Sequence, residues 1–228
     1  MKHSGRIAVP RPARVSRGEL TRQQILDAAT EHFARHGFAG ARVEAIAHDV
    51  NLVGPALLYH FGDKRQLYVA ALERTFAGLL DDIERDLSGA GSLSERIERA
   101  VSTWVSFVGE RPAVARILLR EGAGDSQGLA EDLAPLAARV LAMLDRIYEE
   151  GRRKRVFRST PVDPLHLASA TVGATVFFVG ALPALLPDAK LDPLAPEQLE
   201  AHRRELLTIV RRLLGIRAPR PVGSRRAP

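Results

Sequence analysis

Apolar residues recur every three to four positions through most of this chain, the spacing of one buried face of an α-helix. Ile25, Ala28, Ala29 and Phe33 share such a face, with Thr21 and Gln24 as a capping-box pair before it and Gly37 as its left-handed end. Val43, Ile46, Ala47 and Val50 predict a short second helix. Residues 51–54 predict a turn, and Pro55 opens a third short helix running to about Phe61. Asp63 and Gln66 form another capping box. One long helix is expected after it, with Leu67, Ala71, Leu72, Leu79, Leu80, Ile83 and Leu87 in phase, until Gly89–Gly91 break it. Ser92 and Glu95 open the next helix, which carries Ile97, Val101, Trp104 and Val108. Pro112 starts a short helix to about Leu119, residues 121–128 form a loop, and about 130–150 are helical. Asp163 and Pro164 open a helix to about Leu182, residues 187–196 are a linker, and about 197–214 form the last helix. No period-two alternation and no fixed repeat competes. The expected fold is all-α: three short helices, then five or six longer ones.

Within this pattern, residues 167–186 are 20 residues without a charge. By length they qualify as a membrane span. Ala, Gly, Ser and Thr dilute their hydrophobicity, Pro183 cuts the run, and Asp163-Pro164 is the start of a soluble helix. A buried core or interface helix is therefore favoured, with a membrane-tethered adaptor as the alternative reading.

Composition sharpens the picture in two ways. The 228 residues contain no cysteine, which removes disulfides, thiolate metal sites and thiol nucleophiles. No apolar run opens the chain as a secretory signal does, so a cytoplasmic location is expected. The net charge is +6, but residues 1–18 hold five basic residues without an acid and residues 216–228 hold four. The body, 19–215, has 24 basic against 27 acidic residues. Both ends are rich in Pro, Arg, Gly and Ser and read as disordered basic arms, suited to a polyanion or simply reflecting an Arg-rich composition.

The strongest functional signal lies in residues 43–61. Two short helices joined by a four-residue turn follow the helix-turn-helix plan. Ala47 is small where the helices cross, Asn51 tolerates positive φ in the turn, and Leu52 and Leu57 plug the angle between the helices. The runs Val43-Glu-Ala-Ile-Ala47, Leu57-Leu-Tyr-His-Phe61 and Gly62-Asp-Lys-Arg-Gln-Leu67 resemble the DNA-binding domain of TetR-type transcriptional regulators, as does the helix Ile25 to Phe38. The resemblance covers about residues 20–70.

It implies a helix-turn-helix DNA-binding domain at 19–66 and a larger helical ligand-binding and dimerisation domain at 67–215, flanked by arms 1–18 and 216–228. Gly54, Pro55, Ala56 and Leu58 would face base edges in the major groove. Tyr59, His60, Lys64 and Arg42 fall at phosphate-contact positions. Arg14 and Arg17 are close enough to reach the backbone or a minor groove. The turn departs from the family's usual pattern at Asn51 and Val53, which leaves the recognition helix without a side-chain cap.

The resemblance also implies a homodimer that binds double-stranded operator DNA and a small-molecule effector, with no membrane association. The helices 164–182 and 197–214 are expected at the dimer interface through Ala170, Gly173, Ala174, Leu206 and Val210, with Gly180 aiding close approach. Trp104, Phe107, Met143, Ile147, Tyr148, Phe177 and Phe178 are candidate pocket residues, with His166 and Arg116 as nearby ionisable groups. Their character favours a lipophilic or aromatic ligand. No nucleophile–base pair or phosphate loop assembles, so an enzyme is not expected, although an unrecognised helical enzyme is a competing reading. No cofactor is expected. His32 and His36 lack the further ligands a metal needs, so no metal site is expected either.

Overall fold

The computed structural model describes residues 17–76, 78–124, 130–157 and 162–216. Among these residues there is no strand. The helices are α1 (Arg17–Gly40), α2 (Val43–Asp49), α3 (Gly54–Phe61), α4 (Lys64–Phe76), α5 (Leu79–Ser88), α6 (Leu93–Glu110), α7 (Ala113–Gly122), α8 (Ala130–Arg153), α9 (Pro164–Gly180), α10 (Leu182–Leu185) and α11 (Pro196–Leu213). A 3-10 turn, Pro187–Ala189, follows α10. The expected all-α class holds.

Capping residues set several boundaries. Ser92 Oγ accepts from Glu95 N while Glu95 Oε2 accepts from Ser92 N at 2.7 Å, a complete capping box. Asp163 Oδ1 accepts from the amides of Leu165 and His166 at 2.9 and 3.1 Å. Asp63 Oδ1 accepts from Gln66 N at 2.8 Å ahead of α4.

Four boundaries differ from expectation. Thr21 lies inside α1, which already begins at Arg17, so Thr21 is not its N-cap. Gly37 leaves the helical region at φ 70, as expected, but one more turn follows to Gly40. The long helix expected from Lys64 onward is two helices, because Gly78 adopts φ 81 between α4 and α5. The apolar residues stay in phase across Gly78, so periodicity alone does not register the break. Finally, α9 stops at Gly180, and Pro183 sits in the separate short helix α10.

The N-terminal helices pack around α1. Ile25, Leu26, Ala29 and Phe33 meet Ile46, Ala47, Leu57 and Leu67 in a common core. The Tyr68 ring sets its edge against Phe33 at 4.6 Å and Phe38 at 5.4 Å. α1 is tied to α4 by Arg74–Asp27 (3.1 Å) and by Thr30···Thr75 (3.2 Å), and to α2 by His32–Asp49 (2.8 Å).

The remaining helices enclose a second part of the same core. The buried Arg96 side chain crosses from α6 to the Leu87 carbonyl (2.6 Å) and to Glu150 of α8. Arg139 and Arg146 of α8 reach Asp81 and Glu84 of α5 across the surface. Their hydrogen bonds hold the Glu84 carboxyl below its ordinary range.

Gly180 serves packing within this fold. A Cβ there would lie 2.8 Å from Leu119 Cδ1 and 3.2 Å from the Ala115 carbonyl carbon, so α9 and α7 meet almost backbone to backbone. The close approach expected with a second subunit is instead made inside the protomer. Gly180→Val should destabilise the fold by about 1–3 kcal/mol, read as a lowered denaturant midpoint. An unchanged midpoint would refute the tight crossing.

His202 of α11 stacks on Phe178 of α9 (4.4 Å, 4°) and hydrogen-bonds Thr175 at 3.1 Å. Burial lowers its pKa from the ordinary 6.5. Above that pH both folded and unfolded states are neutral and this group costs nothing. As pH falls through 6.5 the unfolded chain takes up the proton first, so stability declines. The loss of Tm on going from about pH 7 to about pH 5 should be smaller in His202→Gln than in the parent. Equal losses would show that His202 does not titrate with folding.

Candidate DNA-recognition surface and effector cavity

α2 and α3 form the helix-turn-helix. Asn51 takes φ 56 in the turn, and Leu52 N donates to Ala47 O at 2.8 Å, which closes the end of α2. Ala47 and Leu57 are fully buried at the crossing. These are the roles expected of all three.

Arg42 is the residue before α2; its side chain makes no cap hydrogen bond and is exposed. Val53 precedes α3 and also provides no side-chain cap. Its carbonyl accepts from the amides of Ala56 and Leu57 at 3.0 and 3.1 Å, which closes the first turn of α3. Pro55 is exposed at this end, and Gly54 and Ala56 are half-buried. Gly54 sits beside Glu44: a Cβ there would be 3.7 Å from the Glu44 Cγ. Leu58 packs against the core rather than presenting itself fully outward.

Tyr59 is 88% exposed, and its ring stands edge-on to His60 at 5.9 Å. Neither side chain is held by the fold, which leaves both available to an external partner. Lys64 is different. Its ammonium donates to the Ala39 carbonyl at 3.1 Å and lies 4.9 Å from the Phe38 ring centre. Partial burial pushes its pKa down, and nearby Glu44 partly restores it. Lys64 therefore braces the α1–α2 corner, with the other ammonium protons left over for a phosphate. Arg14 lies outside the described residues. Arg17 opens α1, and the rest of the expected arm lies outside the described residues.

Between α4, α5, α6, α7, α8, α9 and α11 is a cavity of ≈ 220 Å³. Phe76, Leu80, Ile83, Val101, Leu144, Leu167 and Val172 are among its lining residues, as are Trp104 and Ile147 from the expected set. The other five expected residues are elsewhere. Phe107 and Met143 border separate clefts with mixed polar and apolar walls. Tyr148 donates its hydroxyl to the Val162 carbonyl and packs near Phe157; burial raises its pKa to about 12. Phe178 is spent on His202, and Phe177 points outward, 45% exposed. Arg116 pairs with Glu31 and His166 with Asp163, so neither serves the cavity. The lining residues missed from sequence carry no signal of their own, because a helix face around a void repeats like a face around a filled core.

Two expected dimer residues are also corrected. Leu206 and Val210 are 1% and 2% exposed, and Val210 lines the cavity. They face inward, and the outer face of α11 carries Ile209, 42% exposed. On α9, Gly173 is exposed with nothing within 4 Å of a Cβ, and Ala170 and Ala174 are half-buried beside it.

A connection that sequence reasoning did not find joins the two regions. Arg120 of α7 donates to the carbonyls of Ala34 and Arg35 at 3.3 and 2.9 Å, at the end of the straight part of α1. Glu121 beside it accepts from the Tyr68 hydroxyl. The 20-residue apolar run, for its part, is divided between α9 and α10, and no helix among the described residues is long and apolar enough to cross a membrane.

Comparison with known proteins agrees with this geometry. Residues 25–71 match the family described as bacterial regulatory proteins, tetR family, and residues 94–210 match the tetracyclin repressor-like C-terminal domain. The chain is 28% identical to the HTH-type transcriptional repressor NicS of Pseudomonas putida over 156 residues, 64% of this chain and 69% of that protein. The fold is similar to that of FadR from Bacillus subtilis, solved with stearoyl-CoA (TM-score 0.66, 19% identity, 86% of this chain and 99% of that one). It is also similar to AibR, solved with isovaleryl coenzyme A and operator DNA (TM-score 0.64, 16% identity, 86% and 100%). The second domain match alone covers more than half of the residues, and the chain belongs to the tetR family of bacterial regulatory proteins, a DNA-binding transcriptional regulator with a ligand-responsive helical domain.

Proposed function

We propose that this regulator is a homodimeric repressor, acting in the cytoplasm, that leaves a palindromic operator when a lipophilic or aromatic effector enters the apolar cavity. The observation that carries this reading is the position of Phe76. It is the last residue of α4, the helix that follows the recognition helix, and it lines the cavity. α4 is bonded to α1 through Arg74 and Thr75, immediately before Phe76. Leu118 of α7 lines the cavity from another side, two residues from Arg120 and its grip on α1. An effector that needs more room at Phe76 and Leu118 therefore pushes on both attachments of α1. Gly78, at positive φ between α4 and α5, is the natural pivot.

Effector and DNA compete if the ligand prefers a spacing of recognition helices that DNA does not. Two half-sites lie about 34 Å apart, one duplex turn. The likeness to FadR and AibR, solved with CoA thioesters, supports an acyl group as one class of occupant. Among the described residues the cavity wall offers no charged side chain, so a nucleotide portion would stay outside it.

On the DNA side, α3 supplies apolar groups at Pro55 and Ala56, and Tyr59, His60, Arg42 and Lys64 supply the polar contacts. The dimer face is assigned to the outer sides of α9 and α11, with Gly173 and Ala174 admitting close approach and Phe177 and Ile209 giving apolar area.

Tyr59→Ala should lower affinity for an operator selected from random duplexes by about tenfold or more, because a hydrogen bond to a charged phosphate is lost. Its stability should stay within about 0.5 kcal/mol of the parent, as expected of an exposed residue. Unchanged affinity would remove α3 from the DNA interface. Phe177→Asp combined with Ile209→Asp should convert the dimer to a monomer by light scattering, whereas a persistent dimer would place the interface elsewhere.

A further inference from the structure

Glu44 is a charged group in the DNA-binding domain to which the contacts assigned above give no task. It lies exposed in the first turn of α2, and its side chain makes no hydrogen bond or ion pair among the described residues. It lies against Gly54, where a Cβ would be 3.7 Å from Glu44 Cγ and 3.9 Å from its Oε1. The carboxylate of α2 thus rests against the first residue of α3, in the space a side chain at position 54 would enter. That end of a recognition helix is the one that meets base edges. Gly54, Pro55 and Ala56 have no hydrogen-bonding side-chain atom, so Glu44 brings one to an end of α3 that has none of its own. Two local effects favour a carboxylate here: the dipole of α2 and the charge of nearby Lys64. Neither calls for a glycine at position 54 that leaves the carboxylate uncovered.

A carboxylate brought to DNA meets phosphates of its own sign, and it costs affinity unless a donor receives it. An ionised carboxylate can only accept hydrogen bonds. In the major groove, cytosine N4 and adenine N6 are the base donors. Guanine and thymine present acceptors that repel the carboxylate, and adenine sets its N7 acceptor beside the donor. Cytosine is the base that remains. We propose that Glu44 specifies a cytosine in each half-site, accepting from its N4 amino group beside the N-terminus of α3. This rests on the reading of α3 as the recognition helix. It adds a base-reading residue supplied by α2, which acts by refusing guanine and thymine as much as by accepting cytosine.

The test uses the full-length protein, Glu44→Gln and Glu44→Ala. Each selects bound duplexes from a random pool, and affinities for the parent's site are read by fluorescence anisotropy at one salt concentration. The parent should enrich cytosine at one position of each half-site. Replacing that cytosine by uracil, with adenine opposite, exchanges the amino donor for a carbonyl acceptor without adding a methyl group. This should weaken binding by the parent about tenfold per half-site. Glu44→Ala should bind the cytosine and uracil sites equally, with the preferences at other positions unchanged. Glu44→Gln should lose the preference too, because an amide both donates and accepts. Glutamine keeps the side-chain length, so a loss shared by both variants does not come from missing packing against Gly54. A uniform change in affinity with every base preference intact would overturn the proposal and leave Glu44 a repelling surface charge. A lowered thermal midpoint with every base preference intact would overturn it in favour of a purely structural role at the helix end. If the parent enriches no two-fold symmetric site, this proposal and the assignment of α3 both fall.

Discussion

The coupling of the two halves of this protein depends on how one helix ends. Gly37 takes α1 out of helical geometry, so carbonyls in the preceding turn lose their usual amide partners. Arg120 of α7 supplies the missing donors at Ala34 and Arg35. A cation at a helix C-terminus is favoured both by its hydrogen bonds and by the helix dipole. A Cβ at Gly37 would only touch the Arg120 side chain, 3.5 Å away, so it is the backbone at φ 70 rather than space that calls for glycine there. The consequence is that α1 belongs to both regions. One side packs on α2, α3 and α4, the other is held by a helix that borders the cavity.

Much of the fold is legible in the chain because its signals are local. Ser92 with Glu95, Asp163 with Pro164, and Asn51 in the turn each act within three or four residues of themselves, and each does in space what its type predicts. The failures are of two kinds. Gly78 breaks α4 from α5 without disturbing the apolar phase, so the hydrophobic pattern is the same for a straight helix and for a bent pair. Leu206, Val210 and Gly180 read from sequence as interface residues, because buried residues inside a protomer and at an interface have the same composition. Only packing distinguishes them, and it turns all three inward. The cavity is only half legible for the same reason. Trp104 and Ile147 line it, while equally apolar Phe178 and Met143 do other work.

The recognition surface is poor in groups that read bases. Gly54, Pro55 and Ala56 offer no side-chain donor or acceptor, and the capping position is Val53, 67% exposed. The polar groups around them, Tyr59, His60, Arg42 and Lys64, suit phosphates, which position a protein without specifying sequence. Lys64 is partly committed to Ala39, and Glu44 stands near it as an opposing charge. Each half-site interaction proposed here is therefore modest.

Modest half-sites make a dimer more than a convenience. When two weak contacts are made by one rigid pair, the second is intramolecular, and affinity rises only while both fit at once. The same arithmetic makes release easy. A ligand need not break Tyr59 or His60 away from DNA; it need only change the distance between two recognition helices until one of them misses. A small apolar cavity suffices for that because its wall includes Phe76 and Leu118, each next to a residue that fixes α1. On the proposed reading, weak base readout, a pair of subunits and a cavity set against the attachments of α1 are parts of one design, in which geometry rather than contact strength is the quantity under control.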